Sequence, residues 1–283
     1  MIKEQGRIIK MDMFGKIAFI GAGNMAESMI KGLLSSGFAD AGNIYVTNKS
    51  DEDKLEGLKT RWGVKISYDK AYVLEGARIV IFGVKPQDME CALNEVKGLL
   101  TQEQLAISTA AGLSLEWFEQ RLGKGYSLVR TMTNLPCQVK AGATAVTMGE
   151  NAKNSQRFIV DALFSSLGIV VHVKEDMIDT ITGLSGSGPA YVYLMIAAMT
   201  EAGEQNGLAK EVAFQLAVQT VFGAAKLVKE SGMDSNKLVQ LTSSKGGTTL
   251  AGLKELEKGG FTETIGSAVK MAAKRSRELS VSY

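Results

Sequence analysis

The stretch Ile17-Ala18-Phe19-Ile20-Gly21-Ala22-Gly23-Asn24-Met25-Ala26 decides the fold. Four apolar residues run directly into G-x-G-x-x-A, and the residues from Met25 to Ser35 have the composition of a helix. In a strand–turn–helix, the first glycine permits the tight turn. The second lets backbone approach a pyrophosphate, and a small third residue lets the helix lie close to the strand. The helix N-terminus then presents N–H groups and the positive end of its dipole to phosphate. Dinucleotide binding at Gly21 and Gly23 is the reading this context favours. The bland alternative is a glycine-rich turn in an α/β sheet that binds nothing.

Working outward, further short apolar runs lie at 44–47, 79–84, 105–109, 127–130 and 169–173, with another strand at 143–148. Segments 25–35, 51–62 and 156–167 are long enough to be helices. Strand and helix in alternation imply βαβ units and a parallel sheet. After Glu175 no strand is legible. Helices are expected at 190–204, 210–230, 234–241, 249–258 and 261–279, with Pro189 just inside the first and Gly207 near its end. The fold class is therefore α/β: a Rossmann-like dinucleotide-binding domain, 1–174, followed by an all-α domain, 175–283, with a hinge near Lys174.

The tip of the second strand bears on which dinucleotide. An acid there would take the ribose 2′-hydroxyl of NAD. The chain has Thr47-Asn48-Lys49-Ser50, an amide, a cation and a hydroxyl that suit a 2′-phosphate, so NADP is favoured and NAD is possible. Asp51 and Asp53 weigh the other way, and Asn48-Lys49-Ser50 could simply cap the next helix. The third long strand ends in Val84-Lys85-Pro86-Gln87. Lys85 falls where strand ends face a ligand crevice, and Pro86 is expected to stop the strand and aim a loop.

Composition narrows the chemistry. The 283 residues carry 32 Lys+Arg against 30 Asp+Glu, which argues against nucleic-acid binding by a strong basic field. A single histidine, His172, removes mechanisms that need two, and two cysteines, Cys91 and Cys137, cannot make a four-thiolate zinc site. No metal site is expected. His172 is read as structural, the cysteines as packed thiols, and Glu175, Asp176 and Asp179 as acids suited to a helix N-terminus. The first 13 residues lack the apolar core of a signal peptide, with Met11 or Met13 as alternative starts. The apolar run from Tyr191 to Met199 is too short to span a bilayer. Cytoplasmic placement away from membranes is the expectation.

Two further glycine-rich segments stand in the second half: Gly183-Leu184-Ser185-Gly186-Ser187-Gly188-Pro189-Ala190-Tyr191 and Thr242-Ser243-Ser244-Lys245-Gly246-Gly247-Thr248-Thr249. Each is expected to precede a helix. The second combines hydroxyls, two glycines and a helix start, which makes a carboxylate or phosphate cradle or, equally, an elaborate N-cap.

Together these segments, with Ala110-Ala111-Gly112 and Arg130-Thr131-Met132-Thr133-Asn134, resemble the pyrroline-5-carboxylate reductase family from Lys16 to the C-terminus. The resemblance implies reduction of a cyclic imine, 1-pyrroline-5-carboxylate, to L-proline with NAD(P)H, by a Rossmann domain and a helical dimerisation domain. It implies that Ser244 and the backbone at Gly247 and Thr248 hold the substrate carboxylate, and that the Thr249 hydroxyl bonds the ring nitrogen. It maps Asn24, Met25, Asn48, Val84, Lys85 and Pro86 to cofactor contacts. It also implies a homodimer or higher homo-oligomer through the C-terminal helices. The apolar spacing of Leu216, Val218, Val221, Phe222, Ala225 and Leu227 fits such an interface. Such a reaction needs no catalytic histidine. Thr133 and Lys245 stand where the family often has proline, and the first of these departures is expected to loosen its loop. Two other readings are a β-hydroxyacid-dehydrogenase-like oxidoreductase, which would use a helix-borne lysine, and a non-catalytic nucleotide-binding regulator.

Overall fold

The computed structural model describes residues 14–282, so the N-terminal extension and the alternative starts at Met11 and Met13 lie outside the described residues. An eight-stranded sheet has the order β3-β2-β1-β4-β5-β6-β7-β8. Its strands are β1 (Lys16–Ile20), β2 (Ile44–Thr47), β3 (Lys65–Ile66), β4 (Ala77–Phe82), β5 (Leu105–Ser108), β6 (Ser127–Met132), β7 (Gly142–Met148) and β8 (Gly168–His172). Strand order reverses between β1 and β4, and open α/β sheets bind ligands at such a switch point.

The strands read as continuous apolar runs because both faces are covered. Ile17 and Phe19 of β1 face α1 (Asn24–Ser35), where Met29, Ile30 and Leu33 are buried with them. Ala18 and Ile20 point the other way, into a layer with Met89, Leu93 and Phe118. That layer comes from helices the periodicity did not reveal: α3 (Lys70–Leu74), α4 (Pro86–Val96) and α5 (Leu115–Leu122). Asp69 and Ser114 cap two of them, with side chains accepting from Ala71 N and Trp117 N. Pro86 occupies the first turn of α4, so it starts a helix rather than aiming a loop, and β4 already ends at Phe82. α2 (Glu52–Trp62) and α6 (Asn154–Ser165) complete the helices of the sheet region.

The expected all-parallel sheet is corrected at β7, which runs antiparallel to β6. The connection 133–141 holds only a short 3₁₀ turn, Leu135–Val139, too short for a crossover helix.

The described chain divides into two compact units, one up to Ser187 with the residues from Met271 onward, the other Gly188–Lys270. The first unit also contains α7 (Ile178–Ile181), which leads into a π-helical turn at Thr182–Gly186. The second comprises α8 (Gly188–Gln205), α9 (Lys210–Ser231), α10 (Ser235–Thr242), α11 (Thr248–Lys258) and the start of α12 (Phe261–Ser282), whose end returns to the first. α8 and α9 pack closely: a Cβ on Gly203 would come within 2.9 Å of Ala213 Cβ.

Candidate functional site

The turn after β1 is built for close backbone approach. Gly21 sits at φ +105°, and a Cβ there would lie 2.5 Å from Val84 Cγ1. Its N–H donates to Thr47 O at 2.8 Å, tying the turn to the end of β2. Ala26 is fully buried, and a Cβ on Gly83 would sit 3.0 Å from its Cβ, so only a small residue fits at that third position. No side chain caps α1 at Gly23, which leaves the first N–H groups of the helix to a ligand.

A cleft of about 450 Å³ opens at this switch point. Its wall brings together Gly21, Gly23, Asn24, Asn48, Lys49, Ser50, Val84 and Lys85. Met25 packs against the core below, and Pro86 lies in α4 outside the cleft wall. The cap on α2 is Asp51, whose carboxylate accepts from Lys54 N at 2.9 Å. Asn48-Lys49-Ser50 is therefore not the cap, and Asp51, one of the two acids that weighed toward NAD, is engaged by backbone. Asn48 Nδ2 donates to Asp51 O at 2.7 Å, while its Oδ1 is buried without a partner. An exposed lysine and an exposed serine beside an uncapped helix start fit a phosphorylated dinucleotide, and the orphaned Asn48 acceptor fits one of its ribose hydroxyls.

The cleft has walls that the sequence reading did not foresee. Asp88, Cys91, Ala92 and Glu95 line it from α4. Their i, i+3, i+4, i+7 spacing is the signal that would have placed them on one face. Cys91 is exposed in that wall, not packed. Cys137 is the packed thiol: burial pushes its pKa up to about 12, so it stays protonated.

Arg130, on β6, is buried, and its side chain is 4% exposed. Nη1 donates to Glu175 Oε1 at 3.1 Å, and Nη2 lies 3.5 Å from Asp179 Oδ1. Glu175 also accepts from Leu115 N at 2.7 Å, and Asp179 accepts from Ser276 Oγ at 2.6 Å. The acids at 175 and 179 thus serve a buried cation before any helix dipole. Downstream, Thr133 is buried and accepts from Thr144 Oγ1 at 2.8 Å. The loop expected to loosen is pinned. Asn134 pins it further, donating to Ser185 O at 2.9 Å and accepting from Ala143 N at 3.0 Å. The first glycine-rich segment is no open loop: Ser187 N donates to Thr182 O at 2.8 Å, closing the π-turn. His172 ends β8 and pairs with Asp161 at 2.5 Å.

In the other unit, Ser244-Lys245-Gly246-Gly247 forms a β-turn. Gly247 N donates to Ser244 O at 3.0 Å, and Gly246 has φ +74°. A positive φ at the third position marks a type II turn, and Lys245 holds the second, which proline favours. That is a physical reason why Lys can replace Pro here. Gly247 contributes the turn rather than a free N–H. It precedes α11 without any side-chain cap, which removes the elaborate N-cap as an explanation. Thr242 and Ser243 spend their hydroxyls on carbonyls of α10, whereas Ser244, Thr248 and Thr249 have no hydrogen-bond partner for theirs among the described residues.

Comparison with known proteins places these features. Residues 175–279 match the family model described as pyrroline-5-carboxylate reductase dimerisation, and residues 16–112 that described as NADP oxidoreductase, coenzyme F420-dependent. The chain is 40% identical to a pyrroline-5-carboxylate reductase of Arabidopsis thaliana, over 94% of this chain and 96% of that one. Pyrroline-5-carboxylate reductase 1 of Bacillus subtilis is 37% identical over 94% of this chain and 89% of that protein. A solved pyrroline carboxylate reductase of Plasmodium falciparum with NADP bound superposes with a TM-score of 0.86 at 30% identity, covering 94% of this chain and 98% of that one. The Coxiella burnetii enzyme gives 0.84 at 39% identity, covering 94% and 99%. A prephenate dehydrogenase of Aquifex aeolicus, 14% identical at a TM-score of 0.51, shares the fold alone. By sequence and by structure, the chain belongs to the pyrroline-5-carboxylate reductase family.

Proposed function

We propose that this protein reduces 1-pyrroline-5-carboxylate to L-proline, with NADPH preferred over NADH. The observation that carries the reading is the uncapped start of α11, where three unengaged hydroxyls meet free helical N–H groups. Ser244 Oγ and the Thr248 N–H grip the substrate carboxylate, with the positive end of the helix behind them. Gly246 and Gly247 shape that grip. The Thr249 hydroxyl orients the ring nitrogen and relays its proton. Gly21, Gly23 and the first N–H groups of α1, from Asn24 and Met25, hold the pyrophosphate. Lys49 and Ser50 receive the 2′-phosphate, Asn48 Oδ1 accepts from a ribose hydroxyl, and Val84 and Lys85 contact the rest of the cofactor. When bound, the reduced nicotinamide supplies the hydride. Binding an imine at a fixed distance and angle supplies most of what such a step needs, so no nucleophile or metal is required of the chain.

The functional boundary lies at 174/175, a position supported by the start of the dimerisation match. α9 is long and apolar enough to cross a membrane by length and composition alone. We assign its apolar face to a homo-oligomeric partner instead, and the protein to the cytoplasm, without a nucleic-acid partner. A β-hydroxyacid-dehydrogenase-like mechanism is disfavoured because Lys245 stands in a turn, not on a helix. Purified protein with NADPH and pyrroline-5-carboxylate should consume NADPH and yield L-proline. Absence of turnover with cofactor binding intact would reject the assignment and favour a regulator.

A further inference from the structure

Four lysines stand on the wall of the nucleotide cleft: Lys49, Lys54, Lys70 and Lys85. Their electrostatic situations differ. Lys70 pairs with Glu95 at 3.1 Å, and Lys54 pairs with Glu27 at 2.5 Å. Lys49 and Lys85 have no acidic partner among the described residues. Glu27 lies in the first turn of α1, and its side chain is 19% exposed. It reaches across to α2 and holds Arg61 as well, at 2.7 Å. One carboxylate is thus shared by two cations from the helix that follows the β2 tip. Burial would raise the pKa of Glu27. The hydrogen bond and charge of Lys54 and the charge of Arg61 outweigh that, and the pKa is lowered. The acid stays ionised at neutral pH.

We propose that Glu27 is a specificity-determining residue that moderates the preference for NADP by holding Lys54 back from the 2′-phosphate. The inference rests on the cleft being the nucleotide site. The 2′-substituent is read at the β2 tip, where the wall carries Lys49 just after the strand and Lys54 in the first turn of α2. A 2′-phosphate must compete with Glu27 for Lys54, and it also feels the repulsion of a carboxylate. A 2′-hydroxyl is uncharged and feels neither. Glu27 therefore weakens NADP binding more than NAD binding. Lys49, unpaired, carries the discrimination that remains. Neither the glycine-rich turn nor the residues at the strand tip disclose this, because the controlling acid is on another helix.

The test measures equilibrium binding of NADP⁺ and NAD⁺ at fixed ionic strength, by calorimetry, so that no turnover is needed. E27Q should raise the ratio of the NAD⁺ to the NADP⁺ dissociation constant by about fivefold or more, as an unpaired lysine becomes available to the phosphate. The E27Q/K54M double variant should return to the wild-type ratio. A ratio for E27Q within twofold of wild type would overturn the proposal. In the wild-type background, K54M should alter the ratio less than twofold and K49M about fivefold. This arm stands even if E27Q does not fold, and an equal loss in K54M and K49M overturns the proposal by itself. If the wild-type protein binds neither nucleotide, the cofactor reading falls and this inference falls with it. If both bind and only the variant ratios fail, the cofactor reading stands alone.

Discussion

The sheet unit and the helical unit treat their apolar residues in opposite ways. Around the sheet, Ile17, Phe19, Ile30, Leu33, Phe82 and Phe118 are sealed between strands and helices. In Gly188–Lys270, only Thr200, Ala213 and Ala217 are buried among the described residues, while Leu194, Phe214, Leu216 and Phe222 are each more than half exposed. The first unit closes on itself. The second is an αα packing of small residues whose large side chains lie uncovered, far beyond what a monomer's surface tolerates. That difference gives physical content to the dimerisation match over 175–279: these helices lack a core until a second surface supplies it.

The comparison breaks most directly at its exposed side. Replacing Leu216 and Phe222 together by Glu should convert the assembly to a monomer and lower the melting temperature by well over 10 °C. The cause is that charges would enter a face that has to be dry. Light scattering and a thermal melt check this. An unchanged assembly mass in the double variant would place the interface elsewhere.

The sheet unit should fail through a polar group instead. Arg130→Met leaves Glu175 and Asp179 without their buried counter-charge, a change that costs about 3–5 kcal/mol. Asp179 also receives Ser276 from the end of α12, so the damage extends to the segment that returns from the helical unit. Urea unfolding should show a lower midpoint with the oligomer mass retained. A midpoint equal to wild type would mean that the cluster contributes nothing net.

A third test separates function from fold within the helical unit. Thr249→Ala should lower kcat about 10²-fold, the usual worth of a positioned proton relay. It should leave the melting temperature within about 1–2 °C, because the hydroxyl makes no hydrogen bond among the described residues. Thr249→Ser, which keeps the hydroxyl, should recover most of the rate. Wild-type kcat/KM in the alanine variant would remove Thr249 from the mechanism.

How much of this was legible in the residues follows the range of the interactions. The β1 turn could be read because Gly21, Gly23 and Ala26 do their work within ten residues of one another. The start of α11 could be read as far as its glycines and hydroxyls. Whether it is a cap or a cradle depends on which groups bond, and the fold, not the local sequence, sets that. The antiparallel β7 was hidden because an alternating apolar strand looks the same in either direction. Helix α4 was hidden behind Pro86, which reads equally well as the end of a strand. Arg130 looked like one member of a motif, and its partners are 45 and 49 residues away. Glu27 takes its partners from α2, 27 and 34 residues along the chain, so no local pattern marks it.

The smallest expected effect tests the cleft itself. Lys49 is exposed and has no ion-pair partner among the described residues, so its replacement removes no described contact that supports the fold. Lys49→Asp places a negative charge beside Asn48 and Ser50, where it would repel a 2′-phosphate and accept from a 2′-hydroxyl. The ratio of kcat/KM for NADPH to that for NADH should fall about tenfold, equivalent to about 1.4 kcal/mol. Most of the change should come from NADPH, with the NADH value within about twofold of wild type, because the loss is electrostatic and local. Raising the salt concentration should narrow the gap between variant and wild type for NADPH and leave NADH unmoved. If both cofactors lose equally, Lys49 serves the cleft as a whole and not the 2′ position. If neither changes, the phosphate is read by Lys54, and Glu27 does not hold that lysine back.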